Sequence, residues 1–344
     1  MKTIYSPHHR LRSSLTELSG GELVPPFECP ERMDQILARM AEVGMTDIAP
    51  PRDFGLEPAL GVHDAGYLDF LGVAWRDWQS AGFKGEAIAS SWPARRMQQR
   101  VPRDIDGRLG YYALAAETSI SGGTWEAALI SMNVALTAQE AVAGGARAAF
   151  ALCRPPGHHA ARDMYGGYCF INNAAVVAQA FLDQGATRVA ILDVDFHHGN
   201  GTQDIFYDRG DVLFVSLHGA PEDAFPHFLG YADETGLGAG EGATLNLPLP
   251  PGTEWARWSE ALEAGLSRVA AFGADALVVS FGADTFMRDP ISFFKLSSDD
   301  FTRMGARLAG AGLPTVIVME GGYAVSELGL NTVNLLQGFD GASG

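Results

Sequence analysis

The sequence predicts one α/β domain with a mostly parallel sheet of about eight strands and helices on both faces. The first observation is that short apolar or β-branched segments alternate with longer segments of helical spacing. The second is that several short segments are apolar on both faces, as in a parallel sheet covered from both sides. The third is that the sequence contains no internal repeat or interdomain linker, so residues 1–344 are predicted to form a single domain.

Eight segments are predicted as strands because they are short, apolar or β-branched, and bounded by Gly, Pro or Asp. They are Thr3–Ser6, Thr46–Ala49, Arg147–Leu152, Arg188–Asp193, Val212–Leu217, Thr244–Leu247, Ala276–Phe281 and Thr315–Met319. Six helices are predicted from helical spacing or start signals. They are Glu31–Val43, Trp125–Ala143, Asn173–Asp183, Trp255–Phe272, Asp299–Leu308 and a last helix from Ser326 to about Gly338. Pro30 suits the start of the first helix, and Ser297 with Asp300 forms a capping-box pattern.

The charge and composition exclude several classes of partner. The 344 residues carry 24 Lys and Arg against 41 Asp and Glu, a formal net charge of −17, with no basic block. Nucleic acids and anionic membranes are therefore poor partners, whereas a cationic small molecule would be attracted. No apolar run reaches about 18 residues and the N-terminus lacks an apolar signal-peptide core, so a cytoplasmic location is expected. Cys29, Cys153 and Cys169 are too widely spaced for a disulfide framework, and buried free thiols are expected.

The stretch Ser80–Gly110 departs from the alternating pattern. It contains several Gly and Pro residues and an Arg cluster, and it is too long for an ordinary connection. Long loops of this kind are functional or disordered. We interpret the stretch as a functional loop insertion, with a tolerated surface insertion as the alternative.

Polar residues follow four of the predicted strands, at the edge where open α/β sheets bind ligands. The four segments are RPPGHH after Leu152, DVDFHHGNGT from Asp193, GAD after Phe281 and EGGY after Met319. One such strand end would be weak evidence of a site. Four of them are hard to explain by packing alone.

Asp195, His197 and Asp284 form a candidate metal site. Asp195 and His197 are two residues apart at a strand end, so extended backbone would point their side chains the same way. Three protein ligands leave one position open, as at catalytic metals. This donor set suits Zn²⁺ but also Fe²⁺, Co²⁺ or Mn²⁺. A capped turn with a buried salt bridge is the structural alternative.

His158 and His159 form a candidate acid/base pair. Imidazoles that do not ligate a metal suit proton transfer, because their ordinary pKa is close to neutral pH. Both follow Gly157, whose flexible turn can bring the two rings toward the metal. The alternative is a pair of satisfied surface histidines.

Together these residues resemble the histone deacetylase superfamily, which has the arginase/deacetylase fold. Within it, the chain is similar to the bacterial acetylpolyamine amidohydrolases. The resemblance runs from the N-terminus to about Gly338. It rests on RPPGHHA, GGYCFINNAA, DVDFHHGNGTQDIF, SLHG, GADTF followed by DP, and EGGY, which occur in family order.

The resemblance implies a role for each residue of the central site. Asp195, His197 and Asp284 are the implied Zn²⁺ ligands. His159 is the implied general base toward water, and it later returns a proton to the leaving amine. His158 is its implied electrostatic partner.

The resemblance extends to the residues around this centre. Tyr323 is implied to donate its hydroxyl to the carbonyl oxygen as negative charge develops there. Asp193 is expected to accept a hydrogen bond from His158, and Asn200 one from His159. Many histone deacetylases have Asp at this last position, and a neutral partner should leave the pKa of His159 lower.

Further implied residues bind potassium and substrate. The implied K⁺ ligands are the main-chain oxygens of Asp193, His197 and Leu217 and the side chains of Asp195 and Ser216. A second K⁺ site is implied near Phe206, Arg209 and Val212. The implied substrate-binding residues are Gly167, Tyr168, Phe225 and Ile291 in the tunnel and Glu17, Asp106 and Glu117 at the entrance. Asp106 is one methylene shorter than the usual Glu, which shortens its reach.

The resemblance implies a Zn²⁺-dependent deacetylase of N-acetylated polyamines or diamines, of the acetylputrescine and acetylcadaverine type. The insertion is expected to form a homodimer that narrows the entrance. Its apolar residues Phe83, Ile88, Trp92 and Met97 would otherwise be poorly buried. The alternatives are a broader lysine or small-amide deacylase, a non-catalytic acetylamine-binding protein and a binuclear Mn²⁺ hydrolase.

Overall fold

The structure, a computed structural model, describes residues 1–96 and 98–342. Met97, predicted to pack in the dimer, therefore lies outside the described residues, as do positions 343 and 344 of the predicted domain. The ten strands are β1 (Lys2–Ile4), β2 (Glu17–Ser19), β3 (Glu22–Val24), β4 (Ile48–Ala49), β5 (Ala148–Ala151), β6 (Val189–Asp193), β7 (Val212–Gly219), β8 (Thr244–Leu249), β9 (Ala276–Phe281) and β10 (Thr315–Met319).

The ten α-helices of the described residues include all six that the sequence predicts. They are α1 (Glu31–Glu42), α2 (Glu57–Leu60), α3 (Ala65–Ser80), α4 (Ile105–Tyr112), α5 (Thr124–Ala143), α6 (Asn173–Asp183), α7 (Asn200–Phe206), α8 (Trp255–Phe272), α9 (Ser298–Ala309) and α10 (Val325–Gly341). Both hydrogen bonds of the Ser297–Asp300 capping box are present at the start of α9. In the described part of the chain, no helix has the length and apolar character needed to cross a membrane.

Eight strands form one sheet in the order β4-β1-β5-β10-β9-β6-β7-β8. Every neighbouring pair in it is parallel. Successive strand residues face opposite sides: Ile191 belongs to the core beneath α3, α5 and α6. Leu192 belongs to the core beneath α1, α8, α9 and α10. The predicted α/β domain with helices on both faces is thus confirmed.

The four strands with polar ends are consecutive neighbours in the middle of the sheet. β5, β10, β9 and β6 lie side by side, and every residue in them is buried. Because they are parallel, their carboxyl ends meet at one edge. The topology therefore brings together the four segments that the sequence marks.

Some predicted boundaries are wrong. β1 ends at Ile4 rather than Ser6, because Ser6 instead caps a 3-10 helix at Pro7–Leu11 and its hydroxyl accepts from His8 N at 3.3 Å. Proline favours the first position of such a helix because its missing N–H would be unpaired there. The sheet edge strand β8 continues to Leu249, two residues beyond the predicted Leu247.

Within the predicted insertion Ser80–Gly110, the helix α4 begins at Ile105. Two tryptophans anchor the insertion: Trp78 Nε1 donates to Gly85 O at 2.8 Å and Trp92 Nε1 to Ala113 O at 2.9 Å. A Cβ at Gly110 would lie 1.6 Å from Ser91 O, so only glycine lets the loop pass this closely over α4. Even so, 43% of Trp92 remains exposed.

Candidate active site

The three predicted metal ligands converge at the carboxyl ends of β6 and β9. His197 Nδ1 lies 3.0 Å from Asp284 Oδ2 and 3.4 Å from Asp195 Oδ1. One ligand atom from each residue falls within 4.8 Å of the others, and all three residues are buried. Backbone N–H groups hold both carboxylates: Gly321 N donates to Asp195 at 2.9 Å and Phe196 N to Asp284 at 2.9 Å.

The surroundings of these residues fit a divalent cation. A Cβ at Gly282 would lie 1.9 Å from Asp195 Oδ2, and one at Gly321 would lie 2.5 Å from Asp284 Oδ2. Gly282 and Gly321 therefore leave no room for a side chain of their own beside the two carboxylates. Burial, and next the Asp195 carboxylate, raise the pKa of Asp284 to about 8. Two buried carboxylates this close repel each other, and a cation among them offsets that repulsion.

The two histidines after β5 make the two hydrogen bonds that the sequence predicts for them. His158 Nδ1 lies 3.0 Å from Asp193 Oδ2, and His159 Nδ1 lies 2.7 Å from Asn200 Oδ1. Their ring centroids are 4.0 Å apart. With Nδ1 so occupied, Nε2 of each ring is the atom available to a substrate or water.

The two imidazoles have opposite pKa shifts. Burial lowers the pKa of His158, but the carboxylates of Asp193 and Asp195 outweigh it and raise that pKa to about 10. Burial, and then the charge of His158, lower the pKa of His159 well below its ordinary value. His158 is thus the cationic member of the pair and His159 the neutral one, able to accept a proton.

Tyr323 lies at the same edge, after β10. Burial raises the pKa of its hydroxyl well above the ordinary value, so it remains protonated and can donate a hydrogen bond. Arg32 supports this segment: Nε donates to Gly322 O at 2.8 Å and Nη2 to Glu320 O at 2.6 Å. The Arg32 guanidinium also lies over the Tyr323 ring, 5.0 Å from its centroid.

A pocket of about 460 Å³ leads to these groups. Its lining includes His159, His197 and Tyr323. It also includes all four predicted tunnel residues, Gly167, Tyr168, Phe225 and Ile291. Gly167 has φ +54°, and a Cβ there would lie 2.2 Å from His159 Cδ2. Glycine at this position is what allows the backbone of the tunnel wall to approach the His159 ring so closely.

The structure brings two of the three predicted entrance carboxylates to this pocket. Glu17 and Glu117 line it, whereas Asp106 lies on the first turn of α4 and accepts from Ser90 Oγ at 3.2 Å. Glu17 Oε1 accepts from the Tyr168 hydroxyl at 3.0 Å, so it also orients the tunnel wall. Asp106 is not among the residues that line the pocket of its own chain.

Comparison with known proteins places this arrangement in one family. Residues 26–339 match the model of the histone deacetylase domain. The chain belongs to the histone deacetylase family. It is 62% identical to "Acetylpolyamine amidohydrolase" of Mycoplana ramosa, over 99% of this chain and 100% of that protein. It is 57% identical to "Acetylpolyamine amidohydrolase 2" of Pseudomonas aeruginosa, over 99% of each.

A solved structure of the family has the same fold throughout. The acetylpolyamine aminohydrolase from Burkholderia pseudomallei superposes with a TM-score of 0.95 at 39% identity, covering 100% of both chains. This histone deacetylase family member is therefore a deacetylase, acting on a linear amide bond. The family is metal-dependent, and Asp195, His197 and Asp284 form a buried group that could hold a metal ion.

The residues predicted to hold K⁺ also lie together in this deacetylase. Asp193 at the end of β6 is paired in register with Ser216 of β7, and Leu217 follows it. Ser216 Oγ lies 2.8 Å from His218 Nδ1, and His218 Nε2 lies 2.9 Å from Gly230 O. Because the ring must donate to that carbonyl, its Nδ1 accepts the Ser216 proton. The lone pairs of Ser216 Oγ are thus left for other donors or a cation.

Sequence reasoning missed several supporting residues of the site. Glu320 accepts from Gly157 N at 2.7 Å and His158 N at 3.2 Å, which fixes the backbone of the histidine pair. Glu28 accepts from Arg32 at 3.2 Å and from Arg154 at 2.7 Å beneath the tyrosine segment. Glu320 opens the EGGY motif and could have been found there. Glu28 bonds to Arg154 across 126 residues and Arg32 to Gly322 across 290 residues, without a local sequence signal.

Proposed function

We propose that this deacetylase removes acetyl groups from N-acetylated polyamines or diamines, such as acetylputrescine and acetylcadaverine, releasing acetate and the free amine. The observation that carries the proposal is the charge of the pocket lining. Glu17, Glu117 and Asp223 line the pocket, and no Lys or Arg does so within residues 1–96 and 98–342. An ammonium ~4 Å from one carboxylate gains a gross ~4 kcal/mol at an effective dielectric near 20. The similar proteins of Mycoplana ramosa and Pseudomonas aeruginosa are named acetylpolyamine amidohydrolases, which agrees with this substrate class.

Zn²⁺ is the proposed metal, with Fe²⁺ or Co²⁺ able to take its place in a site of two carboxylates and one imidazole. Asp195, His197 and Asp284 would hold it. Bound there, it would polarise the acetyl carbonyl and activate a water molecule at neutral pH. A structural K⁺ near Asp193 and Ser216 is part of the same proposal.

The protein's own groups move the protons and stabilise the charge. His159, a neutral imidazole with an unprotonated Nε2, would accept the proton of the attacking water. It would later pass a proton to the leaving nitrogen. His158 is cationic and is held by Asp193. Because it repels a protonated His159, it would favour transfer of the proton from His159 to the leaving nitrogen. The Tyr323 hydroxyl would donate to the carbonyl oxygen as negative charge develops on it.

The tunnel walls suit the carbon chain of the substrate. Tyr168 and Phe225 are aromatic, and burying each CH₂ of a diamine contributes about 0.8 kcal/mol. A broader lysine deacylase would use the same walls but would not need the acidic entrance. The test is a kcat/KM panel of acetylputrescine, acetylcadaverine, N8-acetylspermidine and an acetyl-lysine peptide. A higher value for the peptide than for every polyamine would overturn the substrate proposal.

Glu117→Gln is expected to weaken the recognition of cationic substrates selectively. Glu117 Oε1 accepts from Gly167 N at 2.8 Å, and glutamine can keep that bond while losing the charge. One partly exposed ion pair contributes up to about 1 kcal/mol, so kcat/KM on acetylcadaverine should fall about fivefold. N-pentylacetamide has the same chain without the ammonium and should be hydrolysed at the parent rate. Equal losses on both substrates would contradict the charge argument, and exposed Glu42→Gln is the matched control.

The insertion is proposed to form a homodimer whose partner loop narrows the entrance and brings Asp106 of the partner subunit to it. Phe83 is 42% exposed although one face of its ring stacks on Trp78, and Trp92 is 43% exposed although its Nε1 donates to Ala113 O. Packing against a second copy would bury this apolar surface, and twofold symmetry is the commonest arrangement.

Replacing residues 90–103 by a short Gly/Ser linker is therefore expected to give a monomer by light scattering. This range spares the anchors of Trp78 and the helix α4. The monomer should lose kcat/KM on acetylcadaverine while it keeps or gains activity on an acetyl-lysine peptide. A shortened protein that stays dimeric, or that keeps its diamine preference, would show that selection lies in the tunnel.

A further inference from the structure

One buried carboxylate joins two loops of the active site. Asp289 belongs to the DP pair that follows GADTF, and the mechanism above gives it no role. It is only 7% exposed. Its Oδ2 accepts from Tyr323 N at 2.7 Å and from Ala324 N at 3.3 Å. Its Oδ1 accepts from Ile291 N at 3.0 Å.

The hydrogen bonds from Tyr323 and Ala324 to Asp289 hold the backbone directly after a conformationally permissive glycine. Gly322, directly before Tyr323, has φ +120°, a conformation that glycine adopts readily and other residues rarely. The bonds from Arg32 and to Asp195 hold the segment up to and including Gly322. Arg32 contacts the Tyr323 ring, whereas Asp289 bonds the backbone N–H groups of the two residues that follow Gly322.

The same carboxylate also fixes the tunnel. Ile291 and Tyr323 both line the substrate pocket, and their backbone N–H groups bond opposite oxygens of Asp289. Hydrogen bonds to an ionised acceptor are roughly twice as strong as neutral ones. Burial raises the pKa of Asp289 to about 6, which still leaves it ionised at neutral pH. One charged group thus sets the distance between the tunnel wall and the backbone that carries the phenol.

We propose that Asp289 is a positioning residue for catalysis, which holds the backbone after Gly322 so that the Tyr323 hydroxyl meets the reacting carbonyl oxygen. Its action passes through Tyr323 and not through the metal ligands or the histidine pair. The inference rests on the proposed role of Tyr323 as oxyanion donor. It does not depend on which acetylated amine is the substrate.

The first test is Asp289→Asn in the metal-loaded enzyme, because asparagine has the same shape but turns an NH₂ toward one of the two loops. The substitution would displace the Tyr323 hydroxyl without removing it. We therefore expect kcat to fall roughly 10- to 100-fold, which is no more than the fall caused by losing an oxyanion donor altogether. Metal content should match that of the parent, because Asp289 bonds none of the three metal ligands. KM should rise by a smaller factor than kcat falls, because Asp289 anchors only the Ile291 part of the tunnel wall. Both acetylcadaverine and an acetyl-lysine peptide are measured, so a failure of the polyamine proposal leaves the comparison intact.

The decisive test is a double-mutant cycle with Tyr323→Phe. If Asp289 acts by placing the hydroxyl, Asp289→Asn should lower kcat no more than about twofold once that hydroxyl is gone. Asp300→Asn is the matched control: this buried carboxylate also accepts a backbone N–H, from Ser297 at 2.8 Å, but it lies at the start of α9. It should lower Tm and leave kcat unchanged.

The outcomes separate this inference from the proposal on which it rests. A full multiplicative loss in the double variant, or a kcat of Asp289→Asn within about threefold of the parent, overturns the role of Asp289 alone. A small effect of Tyr323→Phe by itself overturns the oxyanion assignment and this inference together. If Asp289→Asn does not fold, Asp289→Ser, which keeps one acceptor oxygen, is measured in the same cycle.

Discussion

Replacing Asp284 with alanine is expected to remove the bound metal and abolish deacetylation while the fold is retained. The variant leaves Asp195 and His197 as the protein ligands, and catalytic zinc sites typically need three. Metal content measured by mass spectrometry should fall to a small fraction of that of the parent, because two protein ligands do not complete the site. The Phe196 N–H also loses its acceptor, so the free energy of unfolding should fall by about 1–3 kcal/mol. The central sheet should still form.

The matched control is Asp223→Ala, another aspartate that lines the same pocket but lies at its entrance. It should keep its metal. Near-normal metal content in Asp284→Ala would overturn the ligand assignment. Metal loss in both variants would mean that the pocket as a whole, and not the three ligands, determines retention.

The central site could be predicted from the sequence because its ligands lie at strand ends. Asp195 and His197 come within four residues of the end of β6, and Asp284 comes three residues after β9. Once the strands are predicted as parallel neighbours, their carboxyl ends must meet at one edge. The sequence therefore locates these side chains without any knowledge of their distances.

The supporting groups could not be predicted in this way. Arg32 bonds to carbonyls that lie 288 and 290 residues away in the chain. In such bonds the acceptor is a backbone carbonyl, which every residue has. The residue type of the acceptor therefore gives no indication of the bond. Asp289 is visible as part of a motif, but its two-loop role depends on the fold. The helix α3 was not predicted, although its sequence allowed it. Its buried residues follow a helical spacing: they include Tyr67, Leu71, Ala74 and Trp78.

Tyr323→Phe is expected to lower kcat by about 10²–10³ with no change in metal content, since losing one oxyanion donor typically costs this much. The substitution removes a single hydroxyl and almost no volume. The phenylalanine ring can keep its place, because the Arg32 guanidinium over the ring and the Tyr323 N bond to Asp289 do not involve the hydroxyl. KM should change little, because the hydroxyl contributes mainly where negative charge develops in the transition state.

The control for this prediction is Tyr165→Phe. Tyr165 is a fully buried tyrosine whose hydroxyl has no hydrogen-bond partner among the described residues, and its ring stacks on Phe170 in the core. That variant should keep the parent kcat, which separates the loss of a catalytic hydroxyl from the loss of any buried one. A kcat for Tyr323→Phe within about threefold of the parent would show that charge on the carbonyl oxygen is stabilised without this donor. The assignment of Tyr323 would then be wrong even if the three metal ligands are right.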